Sequence, residues 1–132
     1  MKYLLDTNII VHFFRGKFNL NAQFQEVGLK SCAISEITLA ELIYGAEHSL
    51  NPEKNFALIE SFSNEITILP IINAVYLYGK EKSRLRKNGI MISDFDLLIG
   101  TTAVAADLIM VTENVLEFER IHGIRIENWI KR

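Results

Sequence analysis

The chain has 132 residues, a hydrophobic fraction of 49%, a charged fraction of 23% and a formal net charge of −2. This length suits one domain with a hydrophobic core of its own, and the composition excludes a disordered chain. The slightly acidic charge also excludes a general attraction to nucleic acid, so any such binding must be local. We therefore expect a single domain over residues 1–132.

The single cysteine and the absence of a long apolar segment predict a cytoplasmic protein. Cys32 is the only cysteine, so no internal disulfide is possible and a reducing compartment fits best. Asp6 interrupts the first apolar run before the core of a secretion signal would be complete. The longest uncharged stretch, residues 66–79, is shorter than a membrane span and contains Pro70. We expect no membrane partner.

Short apolar runs alternate with longer segments of helical spacing, which is typical of an α/β domain. The predicted strands, in chain order, are residues 2–5, 31–34, 66–69, 108–111 and 124–127. Apolar residues spaced for helices mark two segments between them: Leu39, Leu42, Ile43 and Ala46, and then Val75, Leu77, Tyr78 and Leu85. The sequence predicts a central, mainly parallel sheet of about five strands with helices on both faces.

Acidic and polar residues lie where several predicted strands end. Asp6 follows the first strand, and residues 112–114 follow the fourth. Glu41 lies on the helix that leaves the second strand, and Asp96 lies near the start of a helix over residues 97–106. In open parallel sheets, the functional crevice lies beyond the carboxyl ends of the strands. The three carboxylates can therefore meet at one edge.

Three carboxylates in one pocket need compensation for their repulsion. Two of them about 4 Å apart repel by about 4 kcal/mol at an effective dielectric near 20. A divalent cation or uptake of a proton can supply the compensation. Oxygen-only ligands favour Mg²⁺ or Mn²⁺ over zinc, and the histidines show no metal-ligand spacing: His12, His48 and His122.

Each acid also has a purely structural interpretation. Asp6 could cap the helix that begins near residue 8. Glu41 completes a Thr38-x-x-Glu capping-box pattern, and Asp96 completes the shorter Ser93-x-x-Asp analogue. Taken singly, these interpretations are as good as the functional one. Capping alone, however, does not require an acid and two polar residues, Asp6, Thr7 and Asn8, where the first apolar strand ends.

Four segments in this order and spacing resemble the PIN-domain ribonucleases, in particular the VapC-type toxins of bacterial toxin–antitoxin pairs. The resemblance covers essentially the full length. The segments are YLLDTN at residues 3–8, ITLAELIYG at 37–45, SDFDLLI at 93–99, and VTEN at 111–114 followed by Phe118.

The resemblance implies a PIN-like α/β/α sandwich and a catalytic, metal-binding trio of Asp6, Glu41 and Asp96. It implies Mg²⁺ or Mn²⁺ as cofactor, activating water for RNA cleavage. Asp94 competes with Asp96, but Asp96 directly precedes the apolar run as in the family, whereas Asp94 looks like a helix cap. The expected supporting residues are Thr7, Asn8, Asp94, Thr112 and Asn114. Asn114 stands where many relatives carry a fourth acid.

The same resemblance implies an RNA substrate, a VapB-type antitoxin and a homodimer; the alternative function is a non-catalytic PIN domain that binds RNA or protein. Lys80, Arg84 and Lys87 share one helix face and are candidates for RNA contact, although a solvated helix explains such a run equally well. The aromatic segment around residues 12–27 either packs in the core or forms a groove for an antitoxin helix.

Overall fold

A computed structural model describes residues 1–132 and shows one five-stranded sheet. All pairings are parallel, and the strand order is β3-β2-β1-β4-β5. The strands are β1 (Tyr3–Leu5), β2 (Cys32–Ser35), β3 (Thr67–Leu69), β4 (Ile109–Val111) and β5 (Ile126–Glu127). Each overlaps one of the five predicted strands, so the predicted parallel sheet is confirmed.

Seven α-helices connect and cover the strands. They are α1 (Thr7–Phe14), α2 (Leu20–Val27), α3 (Glu36–Glu47), α4 (Pro52–Ser63), α5 (Val75–Lys87), α6 (Asp94–Ala105) and α7 (Val115–Phe118). The sequence patterns predicted α3, α5 and α6 and the start of α1, but not α2 or α4. None of these helices combines the length and the apolar character that crossing a membrane requires.

The sheet separates two hydrophobic cores because successive strand residues point to opposite faces. Leu5 packs with Ile34 and Val111 in the core on the α1 side, whereas Leu4 and Met110 belong to the core beneath α6. The central strands are therefore buried on both faces, as parallel strands usually are. This arrangement confirms the α/β/α sandwich.

The aromatic residues of the early segment pack mainly into the first core. Phe13 contacts Phe24 edge to face, with ring centroids 4.6 Å apart, and Phe14 contacts Phe62 at 5.5 Å. Cys32 is buried in the same core, and burial raises the pKa of its thiol to about 11. Core packing thus accounts for most of the aromatic segment.

The parallel pairing brings the carboxyl ends of the central strands to a common edge. Leu5 pairs with Val111, and the Asp6 amide donates a hydrogen bond of 2.9 Å to the Val111 carbonyl. The residues that follow β1 and β4 in the chain therefore lie side by side, as expected from the strand-end positions.

Candidate active site

Asp6 is the most deeply buried acid of this edge, with 4% of its surface exposed. Its Oδ1 accepts a hydrogen bond from the Thr7 amide at 2.8 Å, so Asp6 does cap α1. Its Oδ2 accepts a second bond, also 2.8 Å, from the Thr112 hydroxyl beyond β4. Burial raises the pKa of Asp6 despite these two bonds, and the nearby charges of Glu41 and Glu113 raise it further. Helix capping therefore accounts for the hydrogen bond of only one of its two carboxylate oxygens.

Glu41 is not a capping residue. The cap of α3 is Ser35, whose hydroxyl accepts a bond from the Ile37 amide, and Thr38 lies inside the helix. The Thr38-x-x-Glu capping box read from the sequence is therefore wrong. The Thr7 hydroxyl donates to Glu41 Oε1 at 2.6 Å, which joins α3 to the start of α1 beside Asp6.

Asp96 lies in the first turn of α6, where the Ser93 hydroxyl accepts a bond of 3.3 Å from the Asp96 amide. Burial raises the pKa of the Asp96 carboxyl to about 6, and the negative charges of Asp6, Glu117 and Glu41 add to that effect. Asp96 therefore shares the negative electrostatic environment of Asp6 and Glu41.

Asp94 has a different environment, although it is only two residues away. Its carboxylate accepts bonds from Lys82 Nζ at 2.8 Å and from the Tyr78 hydroxyl at 2.7 Å. The hydrogen bond from Lys82 is the main reason that the pKa of Asp94 is lowered. The helix cap is Ser93, so the expectation that Asp94 caps α6 is wrong. Asp94 is already neutralised, whereas no ion pair involves Asp6, Glu41 or Asp96.

Two further acids lie near the cluster and were not singled out in the sequence. Glu117, in α7, accepts a bond of 2.8 Å from the Asn114 side chain and contributes to the raised pKa of Asp96. Glu113 bonds to His12 and Arg132, both at 2.8 Å. A sequence signal existed for both, because they lie within six residues of the end of β4.

The other predicted supporting residues vary in their contacts. Thr112 bonds to Asp6 and also accepts a bond of 2.9 Å from the Asn114 amide, so it fixes the turn after β4. Asn114 is engaged with Glu117. Asn8 is exposed on α1. Thr7 and Thr112 are therefore the polar side chains that directly orient the acids.

The carboxylates share one edge, but no three acidic, histidine or cysteine side chains are arranged to hold an ion together. Mg²⁺ does not require this, because proteins commonly hold it through one or two carboxylates while it keeps several waters. The donors are oxygens, Asp6 is buried and Asp96 is half-buried, and neither has a cationic partner. The residues thus fit a hydrated hard cation that neutralises them.

The basic residues predicted for RNA contact do not form one uniform face. Lys80 and Lys87 are exposed on α5. Arg84 instead forms two bonds to Glu81, at 2.9 and 2.8 Å, and a third to the Arg120 carbonyl. Arg84 is therefore largely committed to contacts within the protein.

These features define an α/β domain with an acidic, oxygen-only site at the carboxyl edge of its parallel sheet. The family profile described as PIN domain matches residues 3–123. "Ribonuclease VapC2" of Haemophilus influenzae is 40% identical over 98% of this chain and 99% of its own length. The "tRNA(fMet)-specific endonuclease VapC" of Salmonella typhimurium is 39% identical, with 98% of each chain covered.

Solved structures agree with these sequence relatives. A chain in the crystal structure of DNA-bound VapBC from Salmonella typhimurium superposes with a TM-score of 0.90 at 38% identity, covering 98% of both chains. A chain of VapBC2 from Rickettsia felis, bound to a promoter DNA fragment, gives a TM-score of 0.87 at 33% identity, covering 98% of this chain and 99% of that one. The chain therefore belongs to the PIN-domain family, in its VapC group.

Proposed function

We propose that this protein is an endoribonuclease that requires Mg²⁺ or Mn²⁺ and acts in the cytoplasm as the toxin of a type II toxin–antitoxin pair. One observation carries the catalytic part: the buried Asp6 and the half-buried Asp96 form no ion pair, and their pKa values are raised. The curated VapC relatives named as ribonucleases support RNA as the substrate.

In this function, the acidic residues bind the metal ion and the threonines hold the acids in position. Asp6 and Asp96 would hold the divalent ion, with Glu41 as a third acid directly or through water. When bound, the ion supplies a Lewis acid and an activated water for attack on the phosphate. Thr112 fixes Asp6 from β4, and Thr7 fixes Glu41 from α1, so the acids keep their positions before substrate arrives. Glu117 adds negative charge beside Asp96 and strengthens cation binding.

Cleavage of total RNA by the purified protein tests this function. We expect cleavage with Mg²⁺ or Mn²⁺, no cleavage in EDTA, and recovery when the metal is restored in excess. We expect water to attack the phosphorus and the 3′-oxygen to leave, so the new ends should be 5′-phosphates and 3′-hydroxyls. A 5′-phosphate-dependent exonuclease then degrades the downstream products.

Two results would count against the proposal. Full activity in EDTA, with 2′,3′-cyclic phosphate ends, would show attack by the RNA 2′-hydroxyl and remove any role for the acids as metal ligands. Tight RNA binding without cleavage under every metal condition would support the alternative, a non-catalytic PIN domain. The intact acidic trio favours the enzyme, since a purely binding protein has no chemical need for it.

We further propose that a VapB-type antitoxin inhibits the protein by placing an apolar helix in a cavity of about 510 Å³ between α1, α3 and α4. Half of its lining is apolar, including Phe14, Leu42 and Leu58, and Arg15 and Lys54 add positive charge. Glu41 also lines this cavity, so a helix bound there would reach the acidic site. The VapBC complexes among the structural relatives support such a partner.

The homodimer implied by the resemblance is likewise a proposal. Several large apolar side chains are exposed and available for a second copy, among them Tyr76, Phe95 and Leu116. Sedimentation velocity of the isolated protein measures the oligomeric state directly. A single species of 15.1 kDa at all concentrations would exclude the dimer.

A further inference from the structure

A cavity of about 200 Å³ lies beside the acidic site, between the end of α5 and the start of α6. Its apolar lining includes Leu85, Ile90 and Leu97, and polar side chains at residues 93 and 94 line it as well. The volume is smaller than the roughly 300 Å³ at which small-molecule sites usually begin, which suits one flat ring system rather than a whole nucleotide.

One open face of α5 adjoins this cavity, and we call it the groove. All five of its residues lie on this helix, and none of them is apolar. Lys82 and Arg86 line both the cavity and the groove, and Lys87 adds a third positive charge. Gly79 and Ser83 lie between the basic residues along the groove, and their small side chains leave room for a bulky chain.

The cations of the groove remain available to a ligand. Arg86 and Lys87 are exposed and form no ion pair, in contrast to Arg84, which is bound to Glu81. Lys82 bonds to Asp94 and Tyr78, which leaves one of its three donor positions. No acidic residue lines the groove itself, so its charge is complementary to a polyanion.

The cavity is also connected to the acidic site through the first turn of α6. Ser93 lines the cavity, and its hydroxyl caps the amide of Asp96. Asp94 lines the cavity with a carboxylate whose Oδ1 accepts both of its bonds, so its Oδ2 is left as an acceptor. A chain whose phosphate lies at Asp96 therefore reaches the cavity within a short distance.

We propose that this cavity binds one base of a single-stranded RNA, while the adjoining phosphate lies on Arg86 and Lys82. This inference rests on the proposed function and identifies a substrate subsite for it. Ile90 and Met91 contact the ring, and the almost fully buried Leu85 and Leu97 form the floor of the cavity. Asp94, as an acceptor, favours a base that presents an amino group. Cations and an apolar cavity placed together in this way fit a nucleotide better than either feature would alone.

Binding of a fluorescein-labelled single-stranded RNA, followed by fluorescence anisotropy in EDTA, tests the phosphate contact separately from cleavage. We expect Arg86→Gln to weaken binding about fivefold and to reduce the slope of log affinity against log salt by about 0.7, the value for one lost phosphate contact. The matched control is Lys30→Gln, an exposed charge before β2 at the opposite end of the sheet. The control should leave both quantities unchanged.

An abasic scan of the same RNA tests the base contact. Removing one particular base should weaken binding to the wild-type protein about fivefold, and this penalty should vanish in Ile90→Trp, whose indole fills the cavity. If Ile90→Trp does not fold, Met91→Glu serves instead, because Met91 lines the cavity and is 80% exposed.

The inference is overturned if Arg86→Gln behaves like Lys30→Gln, or if no abasic position matters to the wild-type protein. A wild-type protein that cleaves RNA normally under those results keeps the proposed function and loses only the subsite. A wild-type protein that shows both binding effects but never cleaves RNA keeps the subsite and loses the proposed function.

Discussion

Asp96→Asn is expected to slow RNA cleavage about 1,000-fold, while Asp94→Asn leaves the rate within about tenfold of the wild-type value. Both changes remove one negative charge at nearly constant volume from the same turn of α6. Asp96 lies in the unneutralised cluster, whereas Asp94 is neutralised by Lys82 and serves at most to bind substrate. Single-turnover cleavage of a defined RNA in Mg²⁺ measures both rates.

Thermal unfolding in EDTA is the control for this comparison. The pKa of Asp96 is about 6 in the folded protein and near 3.8 when unfolded, so its ionised form opposes folding. This penalty is absent below about pH 4, develops between pH 4 and 6, and is complete above pH 6. Asp96→Asn should therefore melt about 3 °C higher at pH 8, roughly 1 kcal/mol after allowing for solvent screening.

The opposite ranking would reverse the assignment of the ligand. If Asp96→Asn retained cleavage while Asp94→Asn abolished it, Asp94 would be the metal ligand and the contact with Lys82 would have to break in the active state. A melting temperature of Asp96→Asn far below that of the wild-type protein would attribute its inactivity to unfolding. The corresponding changes Asp6→Asn and Glu41→Gln should behave like Asp96→Asn in the cleavage assay.

Leu58→Glu is expected to weaken inhibition by the antitoxin about 100-fold without changing cleavage by the free protein. Leu58 lines the cavity between α1, α3 and α4 and is 40% exposed, so the variant should fold. Removing a carboxylate from water and replacing the apolar contact of Leu58 with the bound helix together cost about 3 kcal/mol, which corresponds to that factor. Titration of the cleavage reaction with the cognate antitoxin measures the effect.

The matched control is Ile72→Glu, an equally apolar and more exposed position outside the cavity. It should leave inhibition unchanged. Equal inhibition of the wild-type protein and Leu58→Glu would show that the antitoxin binds elsewhere. Weakened inhibition by both variants would point to a general effect of added negative charge instead of a helix in this cavity.

The sheet was predictable because its central strands are buried on both faces and therefore read as short apolar runs. Helices α2, α4 and α7 were not predicted. Helix α7 has only four residues, and α2 and α4 lack such an apolar pattern. In α2 only Leu20 and Phe24 are buried, and in α4 only Ile59 and Phe62, so neither has a strong apolar pattern. The sequence did contain the start of α4, where Asn51 caps the helix and a proline opens it.

The position of the candidate site at one edge of the sheet could be inferred from the strand ends, but its side-chain contacts could not. Asp6 directly follows β1 in the chain, so the end of this one strand is enough to predict its position at the edge of the sheet. The choice between Asp94 and Asp96 depends on Lys82, a residue of another helix that no local pattern connects to them. The role of Ser35 as the cap of α3 likewise decides that Glu41 is free for the site.

The location of Mn²⁺ in crystals grown with that ion tests the central claim most directly, because its anomalous scattering identifies it. We expect one strong anomalous peak between the carboxylates of Asp6 and Asp96, with Glu41 either turned from Thr7 toward the ion or bound to it through water. Crystals with no Mn²⁺ at this edge, at a concentration that supports cleavage in solution, would contradict the proposed metal site.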